Sequence, residues 1–119
     1  FIRESMAHAA VQLARDLELD AIVVPTRSGT TTRILAAHRP LAPAAGACAD
    51  EHICRRMALH WGIVPVHVGE SEIKNWRRIC RFIAGRIGLG QPGHDILLVS
   101  GFHDDPARNE PVLKLLHMQ

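Results

Sequence analysis

Between Thr26 and Thr31 the chain reads Thr-Arg-Ser-Gly-Thr-Thr, placing four hydroxyls, one glycine and one guanidinium in six residues. It follows the apolar run Ala21-Ile-Val-Val-Pro25 and precedes a helical pattern over 30–37. A strand, a tight turn and a helix start in that order make an anion site: the first backbone N–H groups of a helix have no intrahelical partner, and the helix dipole favours negative charge there. Gly29 lets the backbone approach a ligand closely. Thr26, Ser28, Thr30 and Thr31 offer hydroxyl hydrogen bonds, and Arg27 adds a charge. The composition is that of a phosphate nest. It is neither the GxxxxGK[ST] loop nor GxGxxG. The competing reading is a plain cap, in which Ser28 or Thr30 only ends the helix.

Other residue types capable of chemistry are placed less favourably. His52 and His60 are two helical turns apart, too far to share one metal ion as an i, i+4 pair would. Cys54 and Cys80 fall on apolar helix faces and read as small hydrophobes rather than nucleophiles. Trp61 and Trp76 sit at core spacing. Lys74, Arg77, Arg78 and Arg81 form a basic stretch that reads as a solvated helix face, of interest for ligand binding only if Arg77 or Arg78 reaches Ser28.

The elements that must position the turn follow from periodicity. Met6, Ala9, Ala10, Leu13, Ala14 and Leu17 make one face of an amphipathic helix. The run 21–25 suits a strand buried on both sides of a parallel sheet. Residues 43–49 form a weak strand, poor in β-branched side chains. Asp50 caps a third helix with Ile53, Cys54, Met57, Ala58 and Trp61 on its apolar face and Gly62 as its stop. Residues 63–68 are a strand, Ile73 to Ile87 a fourth helix, and 95–100 and 111–117 the last two strands. Strands alternating with helices predict a layered α/β domain with a largely parallel sheet. The last two strands have only a loop between them, so the fifth is expected to return antiparallel. If strands one and four are neighbours, the Thr26–Thr31 and Gly101–Arg108 loops lie side by side where the winding reverses.

The bulk properties fit one domain spanning 1–119. The 119 residues are 47% hydrophobic and 22% charged, with a net charge of +2, which is ordinary for a globular chain and too balanced for a nucleic-acid or membrane surface. No run approaches the ~18 apolar residues of a membrane span, and the opening residues do not read as a signal peptide. The three cysteines share no CxxC spacing, which favours reduced thiols and a cytoplasmic setting. The chain opens on Phe1, as a piece of a longer polypeptide would.

Several motifs occur in order along the chain: Glu4-Ser5 before an Ala-rich helix, Thr26-x-Ser28-Gly29 after 21–24, Arg39-Pro40-x-Ala42-Pro43, and Arg56 with Ala58 and Leu59 leading into Trp61-Gly62-Ile63-Val64-Pro65-Val66. Gly93-x-Asp95-x-x-x-Val99-x-Gly101 follows, and Asn109-x-x-x-Leu113-Lys114 extends the series weakly. Taken together, these motifs resemble the C-terminal domain of pyruvate kinase. The resemblance implies a three-layer α/β/α fold with a five-stranded, mostly parallel sheet whose last strand is antiparallel. It also implies binding of a phosphorylated sugar or nucleotide effector, with Thr26, Arg27, Ser28, Gly29 and Thr31 at the phosphate, and assembly into a homo-oligomer. Thr30 stands where some members have Arg. The segment 101–108 departs from the family's glycine-rich loop: Asp104 and Asp105 would repel a second phosphate, while Gly101 and Arg108 could still serve one. His94 splits the family's Gly-Asp pair. Family chemistry takes place in a barrel domain with its own Lys, Arg and metal-binding carboxylates, none of which this sequence carries. The chain is therefore expected to be non-catalytic by itself, related to a phosphotransferase, and free of cofactors. Two alternatives stand beside that reading: a free-standing module for a phosphorylated metabolite, and a dimerisation domain whose phosphate site has decayed.

Overall fold

In a parallel α/β sheet each strand has two covered faces, and alternate residues must serve opposite layers. The computed structural model, which describes residues 2–69, 75–86, 88, 93–100, 107 and 110–117, shows this division strand by strand. Ile22 and Val24, Ala44 and Cys48, and Leu97 and Val99 join one core with α1 (Ile2–Asp16), α2 (Thr30–Ala37) and α3 (Glu51–Met57). Ala21 and Val23, Ala45 and Ala47, and Ile96 and Leu98 join a second core with Cys80 and Ile83 of α4 (Trp76–Arg86). Helices thus cover both faces, giving the three-layer α/β/α arrangement.

The strands are β1 (Ala21–Pro25), β2 (Ala44–Cys48), β3 (Ile63–His67), β4 (Asp95–Ser100) and β5 (Val112–His117). They form one five-stranded sheet in the order β3-β2-β1-β4-β5. β1 pairs in parallel with β2 and with β4, β2 pairs in parallel with β3, and β5 returns antiparallel to β4, as the sequence predicts. The winding runs from β1 outward to β3, then crosses to β4 on the other side of β1. The carboxyl ends of β1 and β4 therefore flank the point where a ligand is expected in such sheets. At the opposite end Asp20 clamps the same two strands: its N–H donates to Asp95 O at 2.9 Å and its Oδ2 accepts from Asp95 N at 2.8 Å. Asp95 Oδ1 also meets His117 Nδ1 of β5 at 2.6 Å.

Several elements differ from their sequence expectation for local reasons. α1 buries Ala7, Ala10 and Ala14, whereas Ala9 and Leu17 are exposed. Small residues let this helix lie close to the sheet, so the larger apolar stripe does not define the buried face. The helix closes with Glu18 in the left-handed region (φ 52); the Leu19 and Glu18 amides return to Ala14 O and Arg15 O, the Schellman pattern. α3 begins where Asp50 predicts, its carboxylate accepting from His52 N at 2.8 Å, but ends at Met57. Trp61 consequently leaves the core. It is 53% exposed, with the Arg39 guanidinium 5.6 Å from its ring centroid. The Trp76 side chain, Ile73, Lys74 and Ile87 lie outside the described residues.

β2 is a strand despite its sequence Ala-Ala-Gly-Ala-Cys because every residue in it is buried. A Cβ on Gly46 would lie 2.7 Å from Met57 Sδ and 3.0 Å from Thr32 Cγ2, so its absence is what seats α2 and α3 on this strand. Cys48, at the strand's end, is disulfide-bonded to Cys54 in α3, with 6.0 Å between the Cα atoms. The expectation of reduced thiols holds for Cys80, which is free and buried, and fails for the other two. A CxxC spacing is unnecessary when a strand end and the next helix bring the sulfurs together. Among the described residues no helix is long and apolar enough to cross a membrane.

Candidate functional site

The turn after β1 is built by its own hydrogen bonds. Thr26 continues the ladder, its N–H donating to Ala47 O at 2.8 Å. Its side chain is buried, and Oγ1 accepts the Gly29 N–H at 2.9 Å. Gly29 is left-handed, with φ 81, a conformation that other residues adopt only with strain. From there α2 starts: Gly29 O accepts from Arg33 N at 3.0 Å and from Thr32 Oγ1 at 2.8 Å. The Thr30 N–H donates to Ser28 Oγ at 3.3 Å, and Ser28 Oγ lies 2.9 Å from Thr30 Oγ1. The Thr31 and Thr32 amides, which precede the first intrahelical bond, meet no acceptor among the described residues.

The six predicted residues are therefore not equivalent. Ser28, Gly29 and Thr30 line a cleft of about 70 Å³. Thr26 and Thr31 are buried beneath the turn, and Arg27 is exposed without lining the cleft. Gly101 and Arg108 lie outside the described residues. The parallel β1–β4 pairing that would bring their loop beside the turn is present.

The rest of the cleft comes from residues that the sequence reading did not assign to a site. Arg33 of α2, Ile53, Arg56 and Met57 of α3, and His60 just beyond it complete the lining. The turn meets α3 at Gly29, where a Cβ would sit in ordinary contact, 3.5 Å from both Ile53 Cγ2 and Met57 Cγ. The disulfide holds the first part of α3, and Met57 against Gly46 holds its end. The result is an apolar floor with two hydroxyls on one side and two guanidiniums and an imidazole around it. The lining contains no carboxylate. Among the described residues, the ion pairs are His94–Asp20 and His117–Asp95, so neither Arg33 nor Arg56 has an acidic partner. Arg78 is exposed on α4, across the sheet from this cleft, and the Arg77 side chain lies outside the described residues. Among the described residues no group of three His, Cys, Asp or Glu side chains is arranged to hold a metal. The signal that could have found Arg33 is its position four residues after Gly29, on the same helix face. Arg56 and His60 are also four residues apart, the first on α3 and the second just beyond its end.

A family model described as the pyruvate kinase alpha/beta domain matches residues 4–113. The chain belongs to this family. Pyruvate kinase from Thermoplasma acidophilum is 32% identical over 101 residues, covering 84% of this chain and 18% of that protein. Pyruvate kinase from Geobacillus stearothermophilus is 42% identical over 103 residues, covering 84% of the chain and 16% of the relative. For Lactococcus lactis pyruvate kinase the identity is 28% over 101 residues, or 84% and 20% of the two chains. The chain thus spans no more than about a fifth of the length of these relatives. The matched region of the pyruvate kinase alpha/beta domain contains the whole cleft, from Ser28 to His60, together with all of β1 to β4.

Proposed function

We propose that this chain is the regulatory, subunit-contacting domain of a pyruvate kinase, taking a phosphorylated sugar or nucleotide effector at Thr26–Thr31. In this reading the step from phosphoenolpyruvate to pyruvate is carried out by another part of the enzyme. The domain needs no cofactor, assembles as a homo-oligomer and works in the cytoplasm. The observation that carries the reading is the turn itself: left-handed Gly29 at the head of α2, with the Thr31 and Thr32 amides lacking acceptors among the described residues. Such amides at a helix start favour an anion. Arg27 adds its charge within the turn, and Gly101 and Arg108 complete the proposed set, as the resemblance implies.

The test is thermal denaturation of the full chain with sugar phosphates and nucleotides, each compared with its unphosphorylated parent. The reading expects stabilisation only by phosphorylated compounds and its reduction in Ser28→Ala. Equal shifts from both members of every pair would remove the effector role. Phosphotransfer from phosphoenolpyruvate to ADP by the isolated chain would overturn the assignment of catalysis to another part.

A further inference from the structure

We propose that the cleft between α2 and α3 receives the terminal group of a phosphate monoester, with Arg33, Arg56 and Thr30 as its side-chain donors. The proposal rests on the effector reading and adds to it the side from which the anion enters, residues that the turn motif does not contain, and the chemical class of the group bound.

Charge is the first argument. Arg33 and Arg56 come from different helices, line one cleft with His60, and have no carboxylate partner among the described residues. Two cations lining one cleft favour an anion in it. A guanidinium fork matches phosphate oxygens in pairs. A monoester dianion, with three terminal oxygens and a second charge, suits two guanidiniums and a hydroxyl better than a carboxylate or a phosphodiester with two such oxygens and one charge.

The hydroxyls are arranged to donate into the same space. Thr30 N–H gives its hydrogen to Ser28 Oγ, and Ser28 Oγ lies within 2.9 Å of Thr30 Oγ1. Either hydroxyl can donate in that pair, and the other then keeps its hydrogen for a ligand. A chain running from amide to hydroxyl to hydroxyl polarises each successive donor. Size agrees: a cleft of about 70 Å³ is well below the roughly 300–1,000 Å³ of pockets that enclose a drug-sized ligand. The rest of the ligand therefore projects outside, and the cleft reads its phosphate end.

The experiment is calorimetric titration of the full chain at low salt. The probes are inorganic phosphate, a hexose 6-phosphate, a nucleoside 5′-monophosphate and dimethyl phosphate. Arg33→Ala and Arg56→Ala should each weaken monoester binding about tenfold or more, Arg56→Lys less, and the double variant should bind none. Arg55→Ala changes the same charge on the same helix outside the cleft and should bind like the parent. All of these side chains are exposed, and unchanged denaturation midpoints show that the variants remain folded. The two monoesters identify the source: a cleft that reads only the phosphate binds both, and preference for one names it. Dimethyl phosphate binding as tightly as the monoesters overturns the class assigned. If Arg33→Ala and Arg56→Ala bind monoesters like the parent while Arg27→Ala does not, the cleft proposal fails and the effector reading stands. If no monoester binds the parent, both fail.

Discussion

Met57 stands where Gly46 would carry a side chain. A Cβ at position 46 would lie 2.7 Å from Met57 Sδ and 3.0 Å from its Cε, and Met57 is only 1% exposed. Gly46→Ala should therefore cost about 1–3 kcal/mol, as overpacking does. The cost should fall in a Met57→Ala background, where Thr32 Cγ2, at 3.0 Å, still crowds the added carbon but the Met57 atoms no longer do. Urea denaturation of the four proteins in this cycle measures the coupling; purely additive losses would show that the two residues do not share the site.

The same substitution at two other glycines should act with opposite signs. Gly29→Ala meets only ordinary contacts at 3.5 Å, yet forces alanine into φ 81, a strain of about 1–2 kcal/mol. Gly85→Ala, inside α4 with nothing within 4 Å, should gain about 0.5–1 kcal/mol from helix propensity. Thermal midpoints moving in the same direction would contradict the assigned backbone conformations.

Cys54→Ser should destabilise the chain by about 2 kcal/mol, since the disulfide closes a short loop. Reduction of the parent should cause a similar loss and leave the variant unaffected. A loss of that size is a fraction of an ordinary domain's stability, so the reduced chain should still fold. A chain unfolded by reductant alone at room temperature would refute this.

Burial pushes the Cys80 thiol from its ordinary 9.0 up to about 12. The folded chain keeps the proton while the unfolded chain loses it above pH 9. The stability attached to the neutral thiol is therefore complete below that pH and declines as pH rises toward 12, by at most about 1.4 kcal/mol per pH unit. Urea midpoints taken between about pH 8 and about pH 11 should fall more steeply for the parent than for Cys80→Ala. Parallel slopes would place the alkaline loss elsewhere.

Most of the framework was legible because it depends on short-range signals. The limits of β1, α2 and β4, the Asp50 cap and the antiparallel return each follow from a local pattern and its neighbours. Trp61 was misread because helical spacing continues past the point where α3 ends, so periodicity counted a residue that the helix never carries. The disulfide was missed because its sulfurs meet through packing of α3 on β2. The turn was found, but its cationic surround was not. Arg33 and Arg56 belong to different helices, which pack side by side over Gly46, where a Cβ would crowd Met57 of one and Thr32 of the other.

The strand order also bears on how the molecule assembles. On one side of the β1–β4 junction the strands come from a single stretch, 21–67, and on the other from 95–117. The sheet is thus two sequence-contiguous pieces meeting along one seam. The seam is spanned by Ala21–Ile96, Ile22–Leu97 and Val23–Leu98 and by Asp20 with Asp95. Contacts within each piece close shorter loops than the seam does, so joining the pieces carries the larger loop-closure entropy cost. The cleft, from Ser28 to His60, lies wholly in the first piece. Anion recognition is thereby encoded in the part of the chain that can organise locally, and the second piece completes the sheet around it.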